Sequence, residues 1–151
     1  MSQQDPFRIF VTHGWDESDD YLRVFEYLES ARGFYYRNCS LPGEVSSSAS
    51  PEKQRESLRG QIAKAEVVIA VASQFAAKSD LLVFEMTFAQ ATKKPVLLLR
   101  PFGASVTLPR TLTDLTNVVL DWDERALVDA IRELARGERT GRWDVVEFKP
   151  E

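Results

Sequence analysis

The stretch VVIAVA at residues 67–72 decides the fold, because an unbroken apolar run of this length predicts a strand that is covered on both faces. The stretch PVLLL at residues 95–99 has the same character. Between them, residues 81–92 are long enough for a helix, which Asp80 or Ser79 can cap. Two covered strands joined by a helix predict a parallel β–α–β unit.

The same alternation of strand and helix continues on both sides of this centre. Further strands are predicted at residues 7–12 (FRIFVT), 34–37 (FYYR) and 117–120 (NVVL). Ser18, Ser50 and Asp123 each stand where a side-chain oxygen can cap a following helix, and Pro51 suits a first helical turn. Five strands with this spacing predict a flavodoxin-like three-layer α/β sandwich with a parallel sheet of order 2-1-3-4-5.

The chain of 151 residues fits one domain, which we place at residues 1–137. Residues 138–151 form a tail outside the five-strand plan. The apolar residues of this tail follow an alternating pattern and are Trp143, Val145, Val146 and Phe148. This pattern predicts either an added edge strand or a segment packed on the domain.

Composition excludes several classes of protein. One cysteine and one histidine are too few for a zinc site or a disulfide framework. An all-carboxylate metal site stays open, but no EF-hand spacing is present, and we expect no metal. The net charge is −4, without a basic run, which disfavours nucleic acid as a partner. No apolar run reaches the ~20 residues of a membrane span, and the N-terminus lacks a secretory signal. A cytoplasmic location is therefore expected.

Ligands of such sheets bind beyond the carboxyl ends of the strands, which limits the candidate binding residues to a short set. His13 can line a pocket or handle protons, or it can simply pack in its loop. Trp15 can stack on a base or pack internally, and Gly14 can permit close approach of a ligand. The full set comprises Thr12, His13, Gly14, Trp15, Asn38, Ser40 and Ser73.

Glu85 interrupts an apolar stretch of the helix that follows the VVIAVA strand. A carboxylate there is costly unless solvent or a partner reaches it. It can mark the exposed face of an amphipathic helix, where it can pair with a lysine, or it can be a functional group. The residues alone favour the exposed helical face, because most glutamates on helices are solvated.

The segment from Ser73-Gln74-Phe75 through Ser79-Asp80-Leu81 to Glu85 resembles the third-strand and following-helix signature of TIR domains. The opening FRIFVTHGWDESDD is similar to their first strand and helix start. FYYRNCSLP looks like the branch in bacterial anti-phage systems such as Thoeris and in archaeal relatives of unknown function. The resemblance covers about residues 7–135, with Leu81 standing where many TIR domains have tryptophan.

This resemblance implies an enzyme that cleaves NAD⁺ as substrate, without a cofactor, with Glu85 as the catalytic residue. It would be an NAD⁺ hydrolase or an ADP-ribosyl cyclase whose product signals to an effector in anti-phage immunity. It also implies self-association through the loop Asn38–Ser50. Two alternatives stay open: a non-catalytic TIR-like assembly module, and an enzyme like the nucleoside 2-deoxyribosyltransferases. A phospho-acceptor receiver is disfavoured, because the third strand ends in Ser73 rather than aspartate.

Overall fold

The computed structural model describes residues 4–46 and 48–138. In chain order its elements are β1 (Phe7–Val11), α1 (Asp19–Ser30), β2 (Tyr36–Asn38), α2 (Pro51–Ala63), β3 (Val67–Val71), α3 (Gln74–Ala91), β4 (Val96–Leu99), α4 (Arg110–Thr113), β5 (Val118–Leu120) and α5 (Glu124–Arg136). All four strand pairings are parallel, and the sheet order is β2-β1-β3-β4-β5. The predicted flavodoxin-like fold is confirmed.

The three predicted helix caps form. The Ser18 side chain accepts from the Tyr21 N–H, and Asp123 accepts from Ala126 N–H at 2.7 Å. Ser50 caps α2 in the same way, with Pro51 as the first helical residue. Each cap satisfies a backbone donor that the helix itself leaves unpaired, which is why these residue types mark helix starts in the sequence.

The sheet separates two apolar layers. Alternate residues of β3, beginning with Val67, face the layer that α1 and α5 cover. Val68 and Ala70 face the opposite layer, under α2, α3 and α4. Every residue of β3 is buried, as expected of the central strand of a sheet that is covered on both faces.

The structure corrects the prediction at several boundaries. The second strand begins at Tyr36 rather than at residue 34, because Phe34 precedes the sheet and stacks on Phe7 with ring centroids 5.4 Å apart. The helix that carries Glu85 begins at Gln74 rather than near Leu81, and a kink at Lys78 (φ −142°, ψ 65°) divides it. The short helix α4 was not predicted at all. At such boundaries tertiary contacts compete with local preference.

The predicted edge strand in the tail, around Trp143, lies outside the described residues. Within residues 4–46 and 48–138, no helix is long and apolar enough to cross a membrane. The same ranges contain no cluster of three or more histidine, cysteine, aspartate or glutamate side chains arranged to hold a metal ion.

Candidate active site at the carboxyl ends of β1 and β3

The Glu85 side chain lies inside the protein, with 0% of its surface exposed. Its Oε2 accepts from the backbone N–H of His13 at 3.1 Å, and its Oε1 accepts from Nε2 of Gln74 at 2.8 Å. The backbone N–H of Gly14 is a third donor to the carboxylate. The interpretation of Glu85 as part of an exposed helical face is therefore wrong. Glu85 is instead held against the loop that follows β1.

Burial and hydrogen bonding act in opposite directions on Glu85. Burial is the largest influence and raises its pKa from 4.5 to about 7. The three N–H donors and the nearby positive charge of Lys78 limit that rise, because they stabilise the charged form. The carboxyl group therefore changes protonation near neutral pH, which is the range in which a catalytic acid or base is most useful.

His13 is buried, and both of its ring nitrogens are engaged. The backbone N–H of Trp15 donates to Nδ1 at 2.8 Å, so the ring proton lies on Nε2, which donates to Oε1 of Gln61 at 3.0 Å. Burial lowers the pKa of His13 to about 4 against the opposing effect of the Gln61 hydrogen bond. The imidazole is thus neutral near pH 7, and it fixes the loop that delivers two backbone N–H groups to Glu85.

The loop after β1 has a backbone that only certain residues adopt easily. Gly14 has φ +57°, and Trp15 has φ +71°, an uncommon value for a residue with a side chain. A Cβ atom on Gly14 would lie 2.8 Å from Nε2 of Gln74. Nζ of Lys78 donates to the Gly14 carbonyl at 2.8 Å and forms an ion pair with Asp16 at 3.0 Å. Lys78 thereby bonds the start of α3 to the loop that follows β1.

The other predicted site residues divide between this centre and a neighbouring cluster. The buried Thr12 side chain accepts from the Val71 N–H at 3.1 Å and joins the ends of β1 and β3. Ser40 hydrogen-bonds to Asn38 and to the Tyr21 hydroxyl, in a cluster at the end of β2. Ser73 occupies the position before α3 and forms no cap there. Of the predicted binding residues, His13 and Gly14 contact the Glu85 carboxylate directly.

Three residues that contact Glu85, His13 or Gly14 are absent from the set predicted from the sequence: Gln74, Gln61 and Lys78. Gln61 falls at helical spacing from Leu58 and Ile62, so the pattern could have placed it on the buried side of α2. Gln74 and Lys78 lie in the segment that follows the carboxyl end of β3, the region in which ligands of such sheets bind.

Glu85 is enclosed in this structure. Four cavities of about 380 to 540 Å³ lie among the described residues, and Glu85 is absent from the walls of these four. One of the 380 Å³ cavities lies between α2 and the loop after β2, with Leu41 and Gln61 in its wall. Since Gln61 also contacts the His13 ring, this cavity is separated from the site by the His13–Gln61 pair.

The fold and this centre define a flavodoxin-like α/β protein with a buried glutamate beyond the carboxyl ends of two central strands. The chain matches no protein-family model and no curated protein. Among solved structures it is similar to a 2-deoxyribosyltransferase from the psychrotolerant bacterium Bacillus psychrosaccharolyticus. The TM-score is 0.52 at 13% identity, over 81% of this chain and 90% of that one. At this identity the likeness establishes the shared fold.

Proposed function

We propose that this protein is an enzyme that breaks the N-glycosidic bond between a base and C1′ of a sugar in a nucleoside or nucleotide. Glu85 would be the catalytic residue that faces C1′. The observation that carries the proposal is the buried Glu85 carboxyl group, which accepts from N–H groups of His13, Gly14 and Gln74 and whose pKa burial raises to about 7.

The reaction suits a single carboxylate. When the bond breaks, its electron pair leaves with the base, and positive charge develops at C1′. A carboxylate beside C1′ stabilises that charge or bonds to it, and water or a second base then takes its place. In a site closed to water, the attraction between the two charges is stronger than in solvent. The backbone donors from His13 and Gly14 keep the carboxylate oriented.

Two substrate classes follow from the two similarities. The resemblance to TIR domains favours NAD⁺, with nicotinamide as the leaving base. The fold shared with a 2-deoxyribosyltransferase favours a nucleoside whose sugar passes to another base. Both reactions break the N-glycosidic bond at C1′. The assays below distinguish the two substrate classes.

A second candidate function rests on the enclosure of Glu85. A fully covered carboxylate contacts no substrate until the first turn of α3 or the loop after β1 moves. A protein that only assembles, through the loop Asn38–Ser50, needs no such movement. In that case Glu85 would hold the β1 loop in place, and its loss would affect folding but no reaction.

Turnover of both substrate classes by wild type and Glu85→Gln tests the proposal. One set of assays follows nicotinamide release from NAD⁺. The other follows hydrolysis of 2′-deoxyinosine and transfer of its sugar to adenine. Each is run at low and high protein concentration, because self-association could complete the site. Glu26→Gln, on the exposed side of α1, is the matched control.

We expect base release that is lost in Glu85→Gln and retained in Glu26→Gln, and the released base identifies the substrate class. Base release that survives in Glu85→Gln would contradict the role of Glu85. No release from either substrate at any concentration, with all three proteins folded, would favour the assembly module.

A further inference from the structure

Gln74 carries a buried polar atom that has no partner. The side chain is 7% exposed, and its Nε2 donates to Glu85. Its Oε1 forms no hydrogen bond within residues 4–46 and 48–138. A buried carbonyl oxygen without a donor is destabilising and rare in folded proteins, so each case needs an explanation. The indole N–H of Trp15, in the facing loop, is also buried and unpaired.

The position of this unpaired atom points to a ligand. In a carboxamide the oxygen and nitrogen share one carbon, so the Gln74 oxygen lies next to the nitrogen that is 2.8 Å from Glu85. A ligand group that donates a hydrogen bond to Oε1 of Gln74 would therefore lie beside the ligand atom that Glu85 contacts. The Gln74 amide occupies space that is available because residue 14 is glycine. A Cβ atom at position 14 would lie only 2.8 Å from Nε2 of Gln74.

A sugar that presents C1′ to Glu85 also presents its C2′ substituent beside it. A 2′-hydroxyl is an O–H donor on the atom next to C1′, whereas 2-deoxyribose has only hydrogen there. An unpaired acceptor on the neighbour of Glu85 therefore matches ribose and does not match 2-deoxyribose. A site built to bond a hydroxyl discriminates strongly against the analogue that lacks it, because the acceptor is then left unpaired.

We propose that Gln74 is a specificity-determining residue that accepts a hydrogen bond from the 2′-hydroxyl of a ribosyl substrate while it donates to Glu85. This inference rests on the proposed function and narrows its substrate class to ribosides. The kink at Lys78 separates the turn that carries Gln74 from the helix that carries Glu85.

The test compares kcat/KM for ribo and 2′-deoxyribo forms of the same compound, in wild type and in Gln74→Met. The pairs are inosine with 2′-deoxyinosine, and NAD⁺ with its analogue that lacks the 2′-hydroxyl of the nicotinamide ribose. Methionine keeps the length of the side chain but lacks both the amide oxygen and the N–H that donates to Glu85. Loss of that donor affects ribo and deoxyribo substrates alike, so the ratio of the two isolates the acceptor. Gln90→Met is the control, because it makes the same change on the same helix at a residue that bonds to the Leu115 carbonyl.

We expect wild type and Gln90→Met to favour the riboside by at least about tenfold, and Gln74→Met to reduce that ratio about tenfold. A residue that only supports the fold would lower both rates and leave the ratio unchanged. Turnover that depends on Glu85, with an equal ratio in wild type and Gln74→Met, overturns this inference and leaves the proposed function standing. Absence of all turnover overturns both.

Discussion

The substitution Glu85→Gln should change how the stability of this protein depends on pH. In the unfolded chain Glu85 titrates near 4.5, and in the folded protein near 7. The folded state holds that proton more tightly, so the stability it contributes is present at low pH and is lost as the pH rises from 4.5 to 7. At about 1.4 kcal/mol for each pH unit, the loss is about 3 kcal/mol.

His13 acts in the opposite direction. Its pKa falls from 6.5 in the unfolded chain to about 4 in the folded protein. The unfolded chain therefore binds the extra proton between pH 4 and 6.5, and stability rises with pH across that interval by about 3 kcal/mol. In wild type the two contributions largely cancel. Glu85→Gln removes one of them and leaves the rise due to His13.

Glutamine is a well-matched replacement at this position. Its oxygen can accept from the His13 and Gly14 N–H groups, and its amide nitrogen then faces Gln74. Rotation of the Gln74 carboxamide brings the unpaired Oε1 to that nitrogen as an acceptor. We therefore expect Glu85→Gln to fold, so that its stability curve can be measured.

The assay is urea unfolding of wild type, Glu85→Gln and Glu26→Gln, followed by circular dichroism at several values from about pH 4 to pH 8. The free energy of unfolding of wild type minus that of Glu85→Gln should fall by about 3 kcal/mol between pH 4.5 and 7. The same difference for Glu26→Gln should stay constant. A constant difference for Glu85→Gln as well would refute the raised pKa and the buried, charge-sensitive site built on it.

Three further changes test other contacts. Gly14→Ala should destabilise the protein by about 1–3 kcal/mol in urea unfolding, because alanine is strained at φ +57° and its Cβ would meet Gln74. Lys78→Met removes a positive charge that lowers the pKa of Glu85, so the pH at which Glu85-dependent activity is half-maximal should move upward; an unchanged or lower value would contradict the assignment. Asp123→Ala should cost about 0.5–2 kcal/mol of stability through loss of the α5 cap, with base release unchanged.

Local patterns in the sequence were sufficient for most of the fold. The caps at Ser18 and Asp123 bond to residues three positions away, and the covered strand at 67–71 is a continuous apolar run. The site depends on distant contacts instead. The His13 N–H reaches Glu85 across 72 residues, and Lys78 reaches the Gly14 carbonyl across 64. Local propensity contains no information on such pairs, which is why the kink at Lys78 and the role of Gln74 were missed.

The burial that makes Glu85 costly is also what would make it effective. In water, a carboxylate beside a forming cation gains little, because solvent screens both charges. In the enclosed site the same pair attracts more strongly, but the carboxylate must first be deprotonated, and burial opposes that by raising the pKa to about 7. The donors from His13, Gly14 and Gln74 and the charge of Lys78 counter the increase. They bring deprotonation into the neutral range without exposing the group to water. Weakening any one of these contacts should therefore move the pH dependence of the proposed reaction to higher pH.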